Sequence, residues 1–262
     1  DIKDLTKITN IFLPKLINKQ LNKIFTKGNL EGEFFIPFEP DGKIGKDYGF
    51  SGKITNASIH LTKELSIRNL TTEIDHVKNA EGDEFKATIK KGSIYDLKLV
   101  DTLISLRRIN NETKIKGLLR TNGKLNFSQI KKISSLFGIN INNLENINGT
   151  ADLKTNISFD LDKRFKINNL SYSTEGEIAH LEIHTEERKI IKQYLPTYDS
   201  KIIIKDTNIK LINSKSDHTV ELNGFIKAEE HFDNFKLKEV YNYNKKSFDI
   251  NGIINLTNSK VE

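Results

Sequence analysis

Six glycines in this chain share one strict setting, with an apolar residue two positions before and another two positions after. They are Leu30-Gly32-Phe34, Phe50-Gly52-Ile54, Ile115-Gly117-Leu119, Ile147-Gly149-Ala151, Leu222-Gly224-Ile226 and Ile250-Gly252-Ile254. Two further copies open with Thr, at Thr121-Gly123-Leu125 and Thr174-Gly176-Ile178. With 36% hydrophobic residues and 15 glycines, chance supplies roughly two strict copies, so the excess marks period-two structure along the whole chain. Such a chain is expected to fold as a meander of β-strands.

The clearest strand runs from Thr150 to Asp162. Ala151, Leu153, Thr155, Ile157, Phe159 and Leu161 alternate there with Asp152, Lys154, Asn156, Ser158 and Asp160. That alternation predicts an antiparallel sheet with one apolar face and one wet face. The same habit recurs at Ala57, Ile59 and Leu61; at Tyr95, Leu97 and Leu99; at Ile115 and Leu119; at Leu222 and Ile226; and at Ile250, Ile254 and Leu256. A glycine inside a strand weakens it, so its repeated placement implies a bend, a bulge or a close approach; the alternative is that each glycine opens a strand after a turn. A bulge is also expected around Asp206 and Thr207, where the inward parity is left open.

Helical spacing is sparse. Pro14 suits a first helical position, and Leu16, Ile17, Leu21, Ile24 and Phe25 recur at helical intervals. A helix is predicted over about 14–27, with Gly28 as its left-handed cap. A second short helix fits 128–138, with Ile130, Ile133, Leu136 and Phe137 on one side, and a weaker candidate covers 186–195 before Pro196. No Pro/Gly/Ser-rich linker divides the chain, so residues 1–262 are read as one continuous architecture. With no methionine even at position 1, the chain is expected to be a piece of a longer protein.

Two or three short helices cannot cover ten to fourteen strands, because a ten-residue helix is about 15 Å long and such a sheet is roughly 50–65 Å wide. The fold expected is therefore mainly β, a long curved antiparallel β-sheet groove with two or three short helices. A sealed β-sandwich is the other architecture. In a groove the apolar parity becomes a lining: Ala57, Ile59 and Leu61; Leu97 and Leu99; Ile115 and Leu119; Leu153, Ile157, Phe159 and Leu161; Leu222 and Ile226; and Ile250 and Ile254. A hydrocarbon guest would supply the missing cover, since each methylene removed from water gains about 0.8 kcal/mol and a sixteen-carbon tail on the order of 10 kcal/mol.

The remaining chemistry is thin. The net charge of +6 comes from 41 Lys+Arg against 35 Asp+Glu, dispersed and mostly lysine, which argues against a nucleic-acid stripe. Cysteine is absent, excluding disulfides and thiolate metal sites. His180, Glu182 and His184 alternate on one strand face and read as an exposed polar face rather than a metal site. The glycines and lysines of 41–47 lack phosphate-loop spacing and read as a hairpin loop. Asn-x-Ser/Thr triplets such as Asn56-Ala57-Ser58 and Asn69-Leu70-Thr71 are expected by chance in so Asn-rich a chain. No nucleophile elbow or paired carboxylate stands out, so neither catalytic residues, nor a cofactor, nor a metal is expected.

The run from Ile115 through Phe159, IKGLLRTNGKLNFSQIKKISSLFGININNLENINGTADLKTNISF, places a glycine-led strand before a short helix. A Phe137-Gly138-Ile139 element and a second glycine-led strand follow. In this it resembles the central region of AsmA-like proteins of the YhdP type in Gram-negative bacteria. Phe12-Leu13-Pro14 is similar to the segment that opens this region, although the tryptophan usual there is missing. Ile167-Asn168-Asn169-Leu170 and the strands at Gly176, Gly224 and Gly252 are compatible. The resemblance implies a non-enzymatic segment of a periplasmic protein anchored to the inner membrane, with membrane-protein partners. Its β-groove would carry phospholipid acyl chains between the two membranes, with Leu153, Ile157 and Phe159 on the lipid path. A structural scaffold for outer-membrane biogenesis, of the TamB type, is the alternative.

Overall fold

The computed structural model describes residues 25–43, 45–60, 66–109, 112–136, 146–162, 166–184, 200–227 and 231–256. The alternating segments form β1 (Phe25–Phe35), β2 (Tyr48–His60), β3 (Ser66–Asn79), β4 (Gly82–Ile94), β5 (Leu97–Ile109) and β6 (Glu112–Asn126). Helix α1 (Phe127–Leu136) follows. Then come β7 (Asn146–Leu161), β8 (Ile167–His184), β9 (Lys201–Asn213), β10 (Asp217–Lys227), β11 (Asp233–Asn242) and β12 (Ser247–Asn255). These strands make one open antiparallel sheet whose spatial order is the chain order, β1 to β12. Such an order needs only short connections, as at Tyr95-Asp96 between β4 and β5, where Tyr95 has φ 53°.

The chain divides into two compact units, one comprising Asp1–Arg120 with Ile157–Asn169 and the other Thr121–Asn156 with Leu170–Glu262. In the first, register sorts the side chains into rows across the sheet. Gly32, Gly52, Ile74, Ala87 and Ile104 form one such row. Leu30, Ile54, Thr72, Ile89 and Thr102 form the next. Ile54, Leu70 and Ala57 are 2%, 1% and 0% exposed, and the described members of their cluster all come from β1–β5. The opposite face is polar, with the Ser51 hydroxyl donating to Asp75 Oδ1 at 2.8 Å and Lys90 Nζ 3.3 Å from Glu73.

The second unit repeats the scheme. Gly176, Ile209, Leu222, Leu237 and Gly252 lie in one row across β8–β12. On its other face Glu175 pairs with Lys210, Lys210 with Glu221, and Glu221 with Lys238, while Lys154 Nζ lies 3.2 Å from Glu175. These five of the sequence's dispersed lysines and carboxylates thus form a ladder of alternating charge, the favourable cross-strand arrangement.

Five strands carry a left-handed Asn or Asp in mid-strand: Asn56, Asn69, Asp101, Asn169 and Asp206, with φ of 52°, 51°, 43°, 52° and 45°. Each follows an apolar residue two positions earlier and precedes Ala, Leu or Thr: Ile54-x-Asn56-Ala57, Ile67-x-Asn69-Leu70, Leu99-x-Asp101-Thr102, Ile167-x-Asn169-Leu170 and Ile204-x-Asp206-Thr207. At four of them both apolar or Thr flanks are buried, three positions apart instead of two. An extra residue of this kind shifts side-chain parity by one and bends the strand, and Asn and Asp tolerate the left-handed region better than other side chains do. The register breaks there too, between Ile54 and Ala57 in β2 and between Asn223 and Phe225 in β10, opposite Asp206. A bulge therefore does sit at Asp206, with Thr207 buried behind it.

The patterned glycines lie inside strands rather than after turns, and close approach requires several of them, as two places illustrate. Gly32 and Gly52 pair directly, and a Cβ on Gly52 would come within 2.6 Å of the Phe50 ring, which lies over the pair. A Cβ on Gly224 would overlap the bulge residue Thr207.

The helices need one correction. The helix expected over 14–27 lies outside the described residues except for Phe25, Thr26 and Lys27, which are strand. Gly28 is no helix cap but a β1 residue at φ 141°, where a Cβ would meet that of Ala57 at 2.8 Å. Pairing with β2, from Phe25 opposite Ile59 onward, overrides the local helical spacing. The helix expected over 128–138 is α1, opened by Asn126, whose Oδ1 accepts from the Gln129 amide at 3.0 Å. The candidate over 186–195 lies outside the described residues.

Candidate ligand-binding face

The apolar face of each unit is closed in its middle and open at its margin. In the first unit Ala57, Leu97 and Leu99 are 0%, 7% and 4% exposed, and Ala57 and Leu99 belong to the buried cluster, against which the half-buried Ile59 packs. Leu61 lies outside the described residues. On β6, Ile115 and Leu119 are half-buried, and between them Gly117 would bring a Cβ to 3.0 Å from Ile157. Phe159 and Leu161, further along β7, are half-buried as well.

In the second unit Leu153, Leu222 and Ile226 are half-buried. The parity of β7 is fixed on both faces. Thr155 Oγ1 meets Thr174 Oγ1 of the apolar face at 2.9 Å, whereas Lys154 joins the charge ladder through Glu175. Leu153, two residues from Thr155, therefore shares the apolar face. On β12, Ile250 and Ile254 are 64% and 52% exposed, although Phe235, paired with Ile254, is 5% exposed.

Polar and aromatic side chains rim these faces. Tyr48, Lys78, Asp83 and Arg108 form a row directly beyond Phe50, His76, Phe85 and Leu106. Lys78 Nζ stands 5.3 Å from the Tyr48 ring centroid. Burial holds the His76 imidazole below its usual pKa, with Asp83 Oδ1 at 3.8 Å pulling the other way. The second unit ends in Tyr172, Asn213, His218, Tyr241 and Phe248 across one row. There the Tyr243 hydroxyl donates to Asn213 Oδ1 at 2.6 Å. Burial raises the pKa of both Tyr172 and Tyr243. Amphipathic rings between apolar rows and water suit a boundary between hydrocarbon and headgroup.

Sequence reasoning missed the buried bulge residues Leu70 and Thr102, and the signal for them is the recurring apolar-x-Asn/Asp triplet. Thr102 and Thr207, both 0% exposed, share a further device. Each hydroxyl donates to the carbonyl two residues back, Val100 at 3.5 Å and Lys205 at 2.7 Å, so burial leaves neither unsatisfied.

Of the other candidates, His180 and His184 are exposed, and Glu182 accepts from His184 at 2.7 Å and Lys201 at 2.9 Å, which lower its pKa. Among the described residues no group of three metal-ligating side chains comes together. The loop over 41–47 is a hairpin connection between β1 and β2, with Gly42 N bonding to Glu39 O at 2.9 Å and Gly45 N to Pro37 O at 2.8 Å. No described helix is long and apolar enough to cross a membrane. Compared with family models, curated proteins and solved structures, the chain matches none.

Proposed function

We propose that the chain is a non-enzymatic lipid-binding segment, an AsmA-like element of the YhdP type. Its apolar sheet face takes phospholipid acyl chains and leaves the headgroups at the aromatic and charged rim. On this reading it works in the periplasm, within a protein anchored to the inner membrane, and passes lipid between the two membranes alongside membrane-protein partners. The observation that carries the proposal is the two-faced sheet: rows of apolar side chains run across each unit, the other face is polar, and the apolar parity is half-buried at Leu153 and Phe159 and exposed at Ile250 and Ile254. Ala57, Leu97 and Leu99 then form the floor beneath the bound chains rather than touching them.

Photo-crosslinking separates the two faces of one strand. A diazirine residue at Leu153 or Phe159 is expected to capture phospholipid, and the same probe at Lys154 is not. Equal labelling at all three positions removes the proposal.

The burial of Leu70 at 1% exposure favours a second reading for the first unit, a sealed structural module of the scaffold class. Native mass spectrometry distinguishes the two readings, because a conduit co-purifies with phospholipid and a sealed module does not.

A further inference from the structure

We propose that Lys205 and Lys227, held beside the Phe232 ring on the charged face of the second unit, form a binding site for a phosphomonoester group. The strands that carry them, β9 and β10, are interior ones, each paired on both sides. Ile204, 6% exposed, pairs with Ile226 on the apolar side, so their chain neighbours Ile203, Lys205, Phe225 and Lys227 turn to the opposite, charged face. The site lies across the sheet from the face assigned to acyl chains and stands without that assignment.

Charge alternates along the ladder through Lys210, but not at this end of the face. The row His180, Lys205, Phe225, Asn234 and Asn255 holds no carboxylate. The row beyond it, Glu182, Ile203 and Lys227, holds one, and His184 and Lys201 already engage Glu182. Of the neighbouring acids, Asp206 sits exposed in the bulge, and Asp233 is 3% exposed opposite Ile226, on the apolar side. Among the described residues neither lysine forms an ion pair, although both are half-buried.

Aromatic rings hold them instead. Lys205 Nζ is 4.1 Å from the Phe232 ring centroid and 5.7 Å from that of Phe225, and Lys227 Nζ is 5.9 Å from that of Phe232. A ring face attracts a cation without neutralising it, so the two half-buried ammonium groups keep uncompensated charge. The bulge fixes the backbone of the first: the buried Thr207 hydroxyl donates to the Lys205 carbonyl at 2.7 Å, where the register with β10 shifts between Asn223 and Phe225. Lysine meets phosphate as a rotatable point charge, so the two ammonium groups can converge on one group. A phosphomonoester carries roughly 1.5 to 2 negative charges at neutral pH, which matches the pair as a singly charged carboxylate or phosphodiester does not.

Isothermal titration of the full chain with glycerol 3-phosphate tests a soluble ligand, and co-sedimentation with phosphatidylcholine vesicles containing phosphatidic acid tests a lipid headgroup of the same chemistry. An apparent dissociation constant on the order of 0.1–1 mM is expected in at least one arm. Lys205→Gln and Lys227→Gln are each expected to weaken it at least about tenfold, whereas Lys236→Gln, which removes an exposed cation of the same face outside the ring cluster, changes it less than about twofold. Lys205→Arg keeps the charge and is expected to stay within about threefold of wild type, and all four variants keep the wild-type circular dichroism. No binding in either arm, or equal effects of the three glutamine substitutions, overturns the proposal.

Discussion

Asn56 and Asn69 sit in sequence triplets that look like glycosylation acceptors, yet each holds a left-handed backbone in the middle of a strand. A β-branched residue cannot hold that conformation without cost, and glycine can. Asn56→Val is therefore expected to lose about 1–2 kcal/mol in chemical denaturation, with Asn56→Gly close to wild type; equal losses would mean that the side chain, not the backbone, matters there. His76 bears on pH. Burial lowers its pKa in the folded chain against the partial opposition of Asp83, with Lys78 and Tyr48 also facing it. Below the ordinary imidazole value of about 6.5 the unfolded chain then binds more protons than the folded one, so stability falls as pH drops through that window. Thermal midpoints at pH 5 and 7.5 are expected to differ less for His76→Phe than for wild type.

Strands announce themselves in this sequence because alternation needs no tertiary information, and β7 follows the reading from Thr150 onward. Parity across a whole strand is different. Counting by twos from Ile54 leads to Asn56 and then Ser58, yet the chain buries Ala57 fully, since the left-handed Asn56 inserts one residue. The end of the 14–27 helix failed for a related reason, because pairing between β1 and β2 is a long-range fact that local spacing does not contain. The charge ladder is likewise invisible until register is known. It yields a test at this scale: Lys210→Glu places a carboxylate between Glu175 and Glu221 and is expected to lower the thermal midpoint by a few degrees, partly recovered in high salt. Lys210→Gln should cost less than Lys210→Glu, and identical midpoints would show that the ladder is inert.

At the scale of the whole molecule the sequence revealed the class of fold and the existence of two chemically distinct faces. The candidate face was legible where strands are regular, as at Leu153 and Leu222, and blurred wherever a bulge changes parity. Its depth was not legible, because whether Leu97 is sealed or open depends on neighbours far along the chain. Each described strand bonds only to the strands that precede and follow it in the chain. An architecture so wired can gain or shed two strands at a time without any existing pairing being rewritten, so its reach is set by how many times one simple turn-and-return is copied.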